Sequence, residues 1–136
     1  MITVETTIIA SIDKVWNLWT LPEHIMNWNN ASEDWHTPFV ENDLKEGSKF
    51  KFTMALKDGS ESFDFQGMYT KIDKFSLITY RLLDNRMASV RFESIGDQVK
   101  LKEIFEPTAK ETAEIEEQFC NAIIQNFKKY VENFNI

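Results

Sequence analysis

The chain is poor in the residues that staple, break or loosen a fold: it has one cysteine, three prolines and four glycines in 136 residues. With Cys120 alone there is no internal disulfide, so stability has to come from a packed core, and a reducing cytoplasm is the expected location. No apolar run approaches the roughly 20 residues that a membrane helix needs, and Met1-Ile2-Thr3-Val4-Glu5 lacks the basic region and apolar stretch of a signal peptide. Stable membrane insertion is not expected. Basic residues are also scarce, 15 Lys and Arg against 22 Asp and Glu for a net charge of −7. Such a surface repels a phosphate backbone, which excludes nucleic acid as a partner. Two histidines, His24 and His36, and the distant Cys120 do not make a metal-ligand set. Glycine-rich phosphate loops and the G-x-S-x-G elbow are absent, so no cofactor is expected.

What the chain does have is aromatic bulk: eleven Phe, four Trp and three Tyr make 13% of it, within an ordinary globular composition of 43% hydrophobic and 27% charged residues. Its length predicts a single domain over 1–136, able to bury about two-thirds of its unfolded surface without staples.

The pattern along the chain predicts the elements. Met1 to Ala10 is β-branched and reads as a strand, and Ser11 is placed to cap a helix carrying Ile12, Val15, Trp16 and Trp19 at helical spacing. Leu21-Pro22 ends that helix and starts a second, with Ile25 and Trp28 on one side. Trp35 to Val40 is a short strand whose Pro38 marks a sheet edge. Beyond Gly47 the period becomes two: Phe50, Phe52, Met54 and Leu56 share one face, and Asp58-Gly59 turns the chain into Phe63, Phe65, Gly67 and Tyr69. Ile72 has the opposite parity to Tyr69, so both point inward only through a bulge near Gly67 to Thr70. Leu77 to Leu83, Met87 to Ile95 and Val99 to Phe105 follow, separated by Asp84-Asn85 and Gly96-Asp97 turns. From Glu111 to Phe134 no helix breaker occurs, and Ile115, Phe119, Ala122, Ile123, Phe127, Tyr130 and Phe134 form a wide apolar stripe centred on Phe119. The predicted class is α+β, with helices on one face of an antiparallel meander.

That order, with Ile8-Ile9-Ala10-Ser11 leading to Val15-Trp16, Thr20-Leu21-Pro22-Glu23 leading to Trp28, and Phe65-Gln66-Gly67-Met68-Tyr69, resembles the START-like (SRPBCC, Bet v 1-like) superfamily. The nearest branch is the family homologous to the activator of heat-shock-protein-90 ATPase. The resemblance implies a helix-grip fold: a curved antiparallel sheet of about six to seven strands around a long C-terminal helix, with two short helices after the first strand. It also implies a hydrophobic cavity between sheet and helix. One departure stands out, because members often carry W-[FW]-x-P after the second helix, whereas here Trp28 is followed by Asn29-Asn30 and the next proline is Pro38.

The informative candidates are polar groups on faces that the pattern turns inward, since burying them is costly without partners. Glu103 shares parity with Val99, Leu101 and Phe105, which places a carboxylate on the core face while Lys100 and Lys102 face outward. It is either a ligand-binding or basic group, or half of a structural ion pair. Asn126 lies about 20° from Phe119 on a helical wheel, either at a cavity wall or at the stripe's margin bonded to backbone. Tyr69 and Tyr80 have inward parity on neighbouring strands. Trp16 and Trp19 read as core anchors, and Trp28 and Trp35, flanking a polar loop, as a gate along with His36. Cys120 reads as a small buried hydrophobe. The expected lining is Trp28, Trp35, Phe52, Met54, Phe65, Tyr69, Tyr80, Phe92, Glu103, Phe119, Ile123 and Asn126.

The function expected from these residues and the resemblance is binding of a small apolar or amphipathic ligand by a monomer or homodimer. The alternative is a cyclase- or dehydratase-type enzyme acting on a polyketide-like or aromatic substrate, with Glu103 or His36 as base and Tyr80 or Asn126 polarising a carbonyl. A chaperone-assisting interaction module is the third class.

Overall fold

A computed structural model describes residues 1–108 and 112–134. The order is β1 (Ile2–Ile8), α1 (Ile12–Thr20), α2 (Pro22–Trp28), β2 (Trp35–Asn42), β3 (Lys49–Leu56), β4 (Ser62–Asp73), β5 (Leu77–Leu82), β6 (Met87–Ile95), β7 (Gln98–Phe105) and α3 (Ala113–Asn133). The expected start of the last helix, Glu111, lies outside the described residues. All strands pair antiparallel in one seven-stranded sheet, ordered β1-β7-β6-β5-β4-β3-β2. This is the α+β helix-grip fold that the sequence predicts, with the sheet curled as a half-barrel on α3.

Local chemistry explains the boundaries. The Ser11 hydroxyl accepts the Lys14 N–H at 3.4 Å and the Thr112 hydroxyl accepts the Ile115 N–H at 3.2 Å, the capping that orphaned N-terminal amides require. Asn85 and Gly96, at φ 70° and 60°, take the left-handed conformation that tight hairpins need. Pro38 sits where β2 slips register between His36 and Phe39, and β2 is an edge strand. The β4–β5 register shifts between Tyr69 and Lys71, so the bulge lies where opposite parities demanded one. Gly67 has a separate reason to be glycine: a Cβ there would clash with the Arg81 carbonyl of the neighbouring strand.

The core lies at one end of the grip. Val4 and Ile8 of β1, Val15 and Leu18 of α1, Val99 and Leu101 of β7, and Ile124, Phe127 and Val131 of α3 are all buried. Phe127 packs edge-on against both Trp19 (4.9 Å) and Trp28 (4.7 Å), which stack on each other at 4.7 Å. This corrects the predicted stripe. The buried line of α3 runs through Ile124, Phe127 and Val131, whereas Ile115 is 51% exposed and Phe119 only half-buried. The C-terminal half of the helix docks on β1 and α1, and its N-terminal half stands off the sheet.

Beyond this core, polar bonds fix α3 to the end of β1 and to α1. Glu132 accepts the Ile9 N–H at 2.9 Å, Lys128 donates to the Thr7 carbonyl, and Lys14 donates to the Phe134 carbonyl at 2.7 Å. No described helix is long and apolar enough to cross a membrane.

Candidate functional site

The space beneath the N-terminal half of α3 is a cavity of about 490 Å³. Its floor comes from alternate residues of the central strands, because period two turns Phe50, Phe52 and Met54 of β3, Phe65 and Tyr69 of β4, Ile78 and Tyr80 of β5, and Ala88 and Val90 of β6 to the same face. Ala88 pairs with Tyr80 on one side and Phe105 on the other, so the smallest side chain sits between two large rings and leaves room above it. Trp19 and Trp28 close one side, while Phe119, Cys120 and Ile123 of α3 form the roof. Exposed lining residues mark the mouth: Phe63 is 40% and Ile115 51% exposed. Trp35 spans it, edge-on to Phe63 at 5.8 Å and to Phe119 at 6.1 Å.

Two polar groups on this wall already have partners. Tyr69 donates its hydroxyl to Asn42 Oδ1, and Asn42 Nδ2 donates to the Thr20 carbonyl at 2.7 Å. Burial holds the Tyr69 phenol well above its usual pKa, against the opposing bond from Asn42. At the other end, Arg86 donates from Nε to Asp84 at 2.7 Å and from Nη1 to Glu116 at 3.5 Å, and Glu116 also accepts the Thr108 N–H at 3.0 Å.

Glu103 is different. It lies on β7 between Val4 of β1 and Val90 of β6, both buried. Its carboxylate has no hydrogen-bond or ion-pair partner among the described residues, while the outward Lys100 pairs with Glu5 at 3.8 Å. Glu103 is half-buried and what surface it keeps opens into the cavity, so desolvation raises its pKa to about 7. Its charge is felt across the cavity. Tyr80 is pushed well above the usual phenol range by burial first and by Glu103 second, and Cys120 is pushed up to about 12 by burial, Glu103 and Glu116, in both cases against the opposing charge of Arg86. At neutral pH the Cys120 thiol is therefore protonated and a poor nucleophile. No group of His, Cys, Asp and Glu among the described residues is arranged to hold a metal.

Of the twelve residues expected at the cavity, ten line it: Trp28, Trp35, Phe52, Met54, Phe65, Tyr69, Tyr80, Glu103, Phe119 and Ile123. Phe92 and Asn126 do not. Phe92 faces inward but lies under α1, packed on Trp16 at 5.0 Å and Trp19 at 6.3 Å. Asn126 donates to the Trp28 carbonyl at 2.7 Å and to Asn30 Oδ1 at 2.9 Å, tying α3 to the end of α2. Asn29, buried, bonds Thr37 on β2 at 3.2 Å. The Asn29-Asn30 pair after Trp28 is thus a hydrogen-bonded brace. Trp28, expected at a gate, is only 2% exposed and donates its indole N–H to the Leu18 carbonyl at 2.8 Å. Of the residues expected there, Trp35 is the one that lies at the mouth. His36 lies on β2 outside the lining, and His24 bonds the Tyr130 hydroxyl at 2.7 Å on the far side of α3.

Sequence reasoning missed Trp19, Asn42, Arg86 and Glu116 as lining residues. Trp19 was readable, since an aromatic one turn from Trp16 near a helix end can face past the core. Arg86 and Glu116 were not, because 30 residues separate them and only the tertiary fold brings them together.

Comparison with known proteins agrees with this geometry. The family model for Activator of Hsp90 ATPase homolog 1-like protein matches residues 9–132. The solution structure of Chr148 from Cytophaga hutchinsonii is 45% identical, with a TM-score of 0.84 over 97% of this chain and 92% of that one. The AHSA1-like protein from Aeromonas hydrophila is 31% identical, with a TM-score of 0.86 over 99% of each chain. Protein CV1439 from Chromobacterium violaceum, at 15% identity and a TM-score of 0.80 over 98% of this chain and 100% of that one, shares the fold. No curated protein matches.

Proposed function

This chain belongs to the Activator of Hsp90 ATPase homolog 1-like family, and on that premise we propose that it binds a small apolar or amphipathic molecule between its sheet and its C-terminal helix. The observation that carries the reading is the cavity itself. At about 490 Å³ it falls in the range of about 300–1,000 Å³ typical of small-molecule sites, and its wall combines large aromatic rings with a few convergent polar groups. Affinity comes from the apolar wall, and the mouth at Trp35, Phe63 and Ile115 gives entry.

The test is titration with N-phenylnaphthylamine, a neutral dye that brightens in apolar surroundings. Saturable brightening at one dye per chain is expected, together with its loss in Ala88→Phe, which places a ring in the space above the floor. Circular dichroism should show that variant folded. Absence of brightening in the natural protein, or equal brightening in the filled variant, overturns the reading.

A cyclase- or dehydratase-type activity has one observation in its favour, a Glu103 carboxyl near pH 7 on the same wall as Tyr80. Of the four groups expected to serve such chemistry, His36 and Asn126 are not on the wall. Under this reading Glu103→Gln abolishes turnover of a polyketide-like substrate while leaving its binding intact.

A further inference from the structure

The charges on the cavity wall are unbalanced. Glu61, Glu103 and Glu116 line it, and the only cationic side chain among the described lining residues is Arg86. Arg86 is already held by Asp84 at 2.7 Å and Glu116 at 3.5 Å, and it also donates to the Glu106 carbonyl at 3.3 Å. Glu103 is left on an apolar row with no cation of its own among the described residues. From the elements around it come Val4 of β1, Val90 of β6, Tyr80 of β5, and Cys120 and Glu116 of α3; the charge of Arg86 reaches Tyr80 and Cys120, but Glu103 itself is perturbed by desolvation alone. The Tyr80 hydroxyl likewise has no hydrogen-bond partner among the described residues, yet it is not sealed off from the cavity. A carboxylate, a phenol and the faces of neighbouring aromatic rings are the surroundings that favour an ammonium ion: the carboxylate supplies charge and the rings supply cation–π attraction.

We infer that the cavity takes a small amphiphile with a cationic amine head, its ammonium against the Glu103 carboxylate beside Tyr80 and its apolar body along the aromatic floor. This deepens the ligand-binding reading above and rests on it. An anionic amphiphile meets the opposite situation, since its head would face three carboxylates and an arginine already engaged.

The experiment compares 4-phenylbutylamine, 4-phenylbutanol and 4-phenylbutanoate, which share one apolar body, by displacement of N-phenylnaphthylamine at pH 8.5. The amine should bind about tenfold more tightly than the alcohol, as a desolvated charge pair permits, and the carboxylate more weakly than either. In Glu103→Gln the amine should fall to the alcohol's affinity, with the alcohol changed less than about twofold. If all three displace the dye equally, or the amine keeps its advantage in Glu103→Gln, the head-group inference is wrong and the binding site stands. If the dye binds and none of the three displaces it, the inference also falls. If the dye itself does not bind, both readings fall.

Discussion

Replacing Glu103 by Gln exchanges an ionisable group for a neutral one of the same shape, and the consequence for stability depends on pH in a direction the structure fixes. Burial between Val4 and Val90 raises the folded-state pKa from 4.5 to about 7. As pH rises from 4.5 the unfolded chain loses this proton first. Between 4.5 and 7 the folded state therefore binds more protons than the unfolded one, and stability declines with rising pH. The penalty is absent below the unfolded pKa and complete above the folded one. At about 1.4 kcal/mol per unit, a gap of about 2.5 units costs about 3 kcal/mol at pH 8.5 and about 1 kcal/mol at pH 5.5. Glu103→Gln removes the titration, so its stability relative to the natural protein should improve by about 2 kcal/mol between those two pH values. Urea unfolding of both proteins at pH 5.5 and 8.5 measures this. Contributions of the other carboxylates, common to both proteins, cancel in the difference, as does any fixed effect of the Gln amide. A difference that stays constant with pH would mean that Glu103 titrates like a solvated carboxylate, and the apolar row around it would not be excluding water.

Other substitutions test the frame around the site. Phe127→Ala, which removes the ring packed edge-on against both Trp19 and Trp28, should cost about 3–5 kcal/mol in urea unfolding, whereas Phe119→Ala at the half-buried roof should cost about 1–2 kcal/mol. Equal losses would mean that the two halves of α3 are packed alike. Gly67→Ala drives a Cβ into the β5 backbone and should destabilise by about 1–3 kcal/mol, with no effect if β5 is free to move aside. With its thiol pKa near 12, Cys120 should react with iodoacetamide at pH 8 roughly a thousandfold more slowly than a free cysteine, and at the free rate once urea unfolds the chain. A native rate close to that of free cysteine would show the thiol open to solvent.

Much of this architecture was legible because it depends on short-range signals. Period-two alternation over Phe50 to Met54 and Phe63 to Tyr69 sets which side chains face inward, and the parity conflict between Tyr69 and Ile72 located a bulge that the β4–β5 register contains. What parity cannot set is position along the strand relative to the covering helices. Phe92 has the same inward sense as Val90, yet α1 lies over it and makes it core. The rotation of α3 had a readable signal, since Cys120, Ile124, Phe127 and Val131 repeat at i, i+4, i+7 and i+11. It was masked by the more aromatic line through Ile115, Phe119 and Tyr130. Ile115, Phe119 and Ile123 face the cavity, whereas Ile124, Phe127 and Val131 dock.

That division explains why there is a cavity at all. A helix with one uniform apolar stripe would settle evenly on the sheet and exclude the space, as close packing favours. Here the C-terminal half of α3 is drawn down by Ile124, Phe127 and Val131 and by the bonds of Lys128 and Glu132 to β1. The N-terminal half is held from a different point, where Glu116 accepts the Thr108 N–H and meets Arg86 beyond the end of β7. Between the two supports, Phe119, Cys120 and Ile123 look onto a floor that includes the small Ala88. The opening is therefore set by anchors at its two ends rather than by bulk beneath it. Because those anchors are made within the protein itself, the space is held open by the fold alone, and the binding proposed above would be spared the ordering cost that a collapsed cleft imposes.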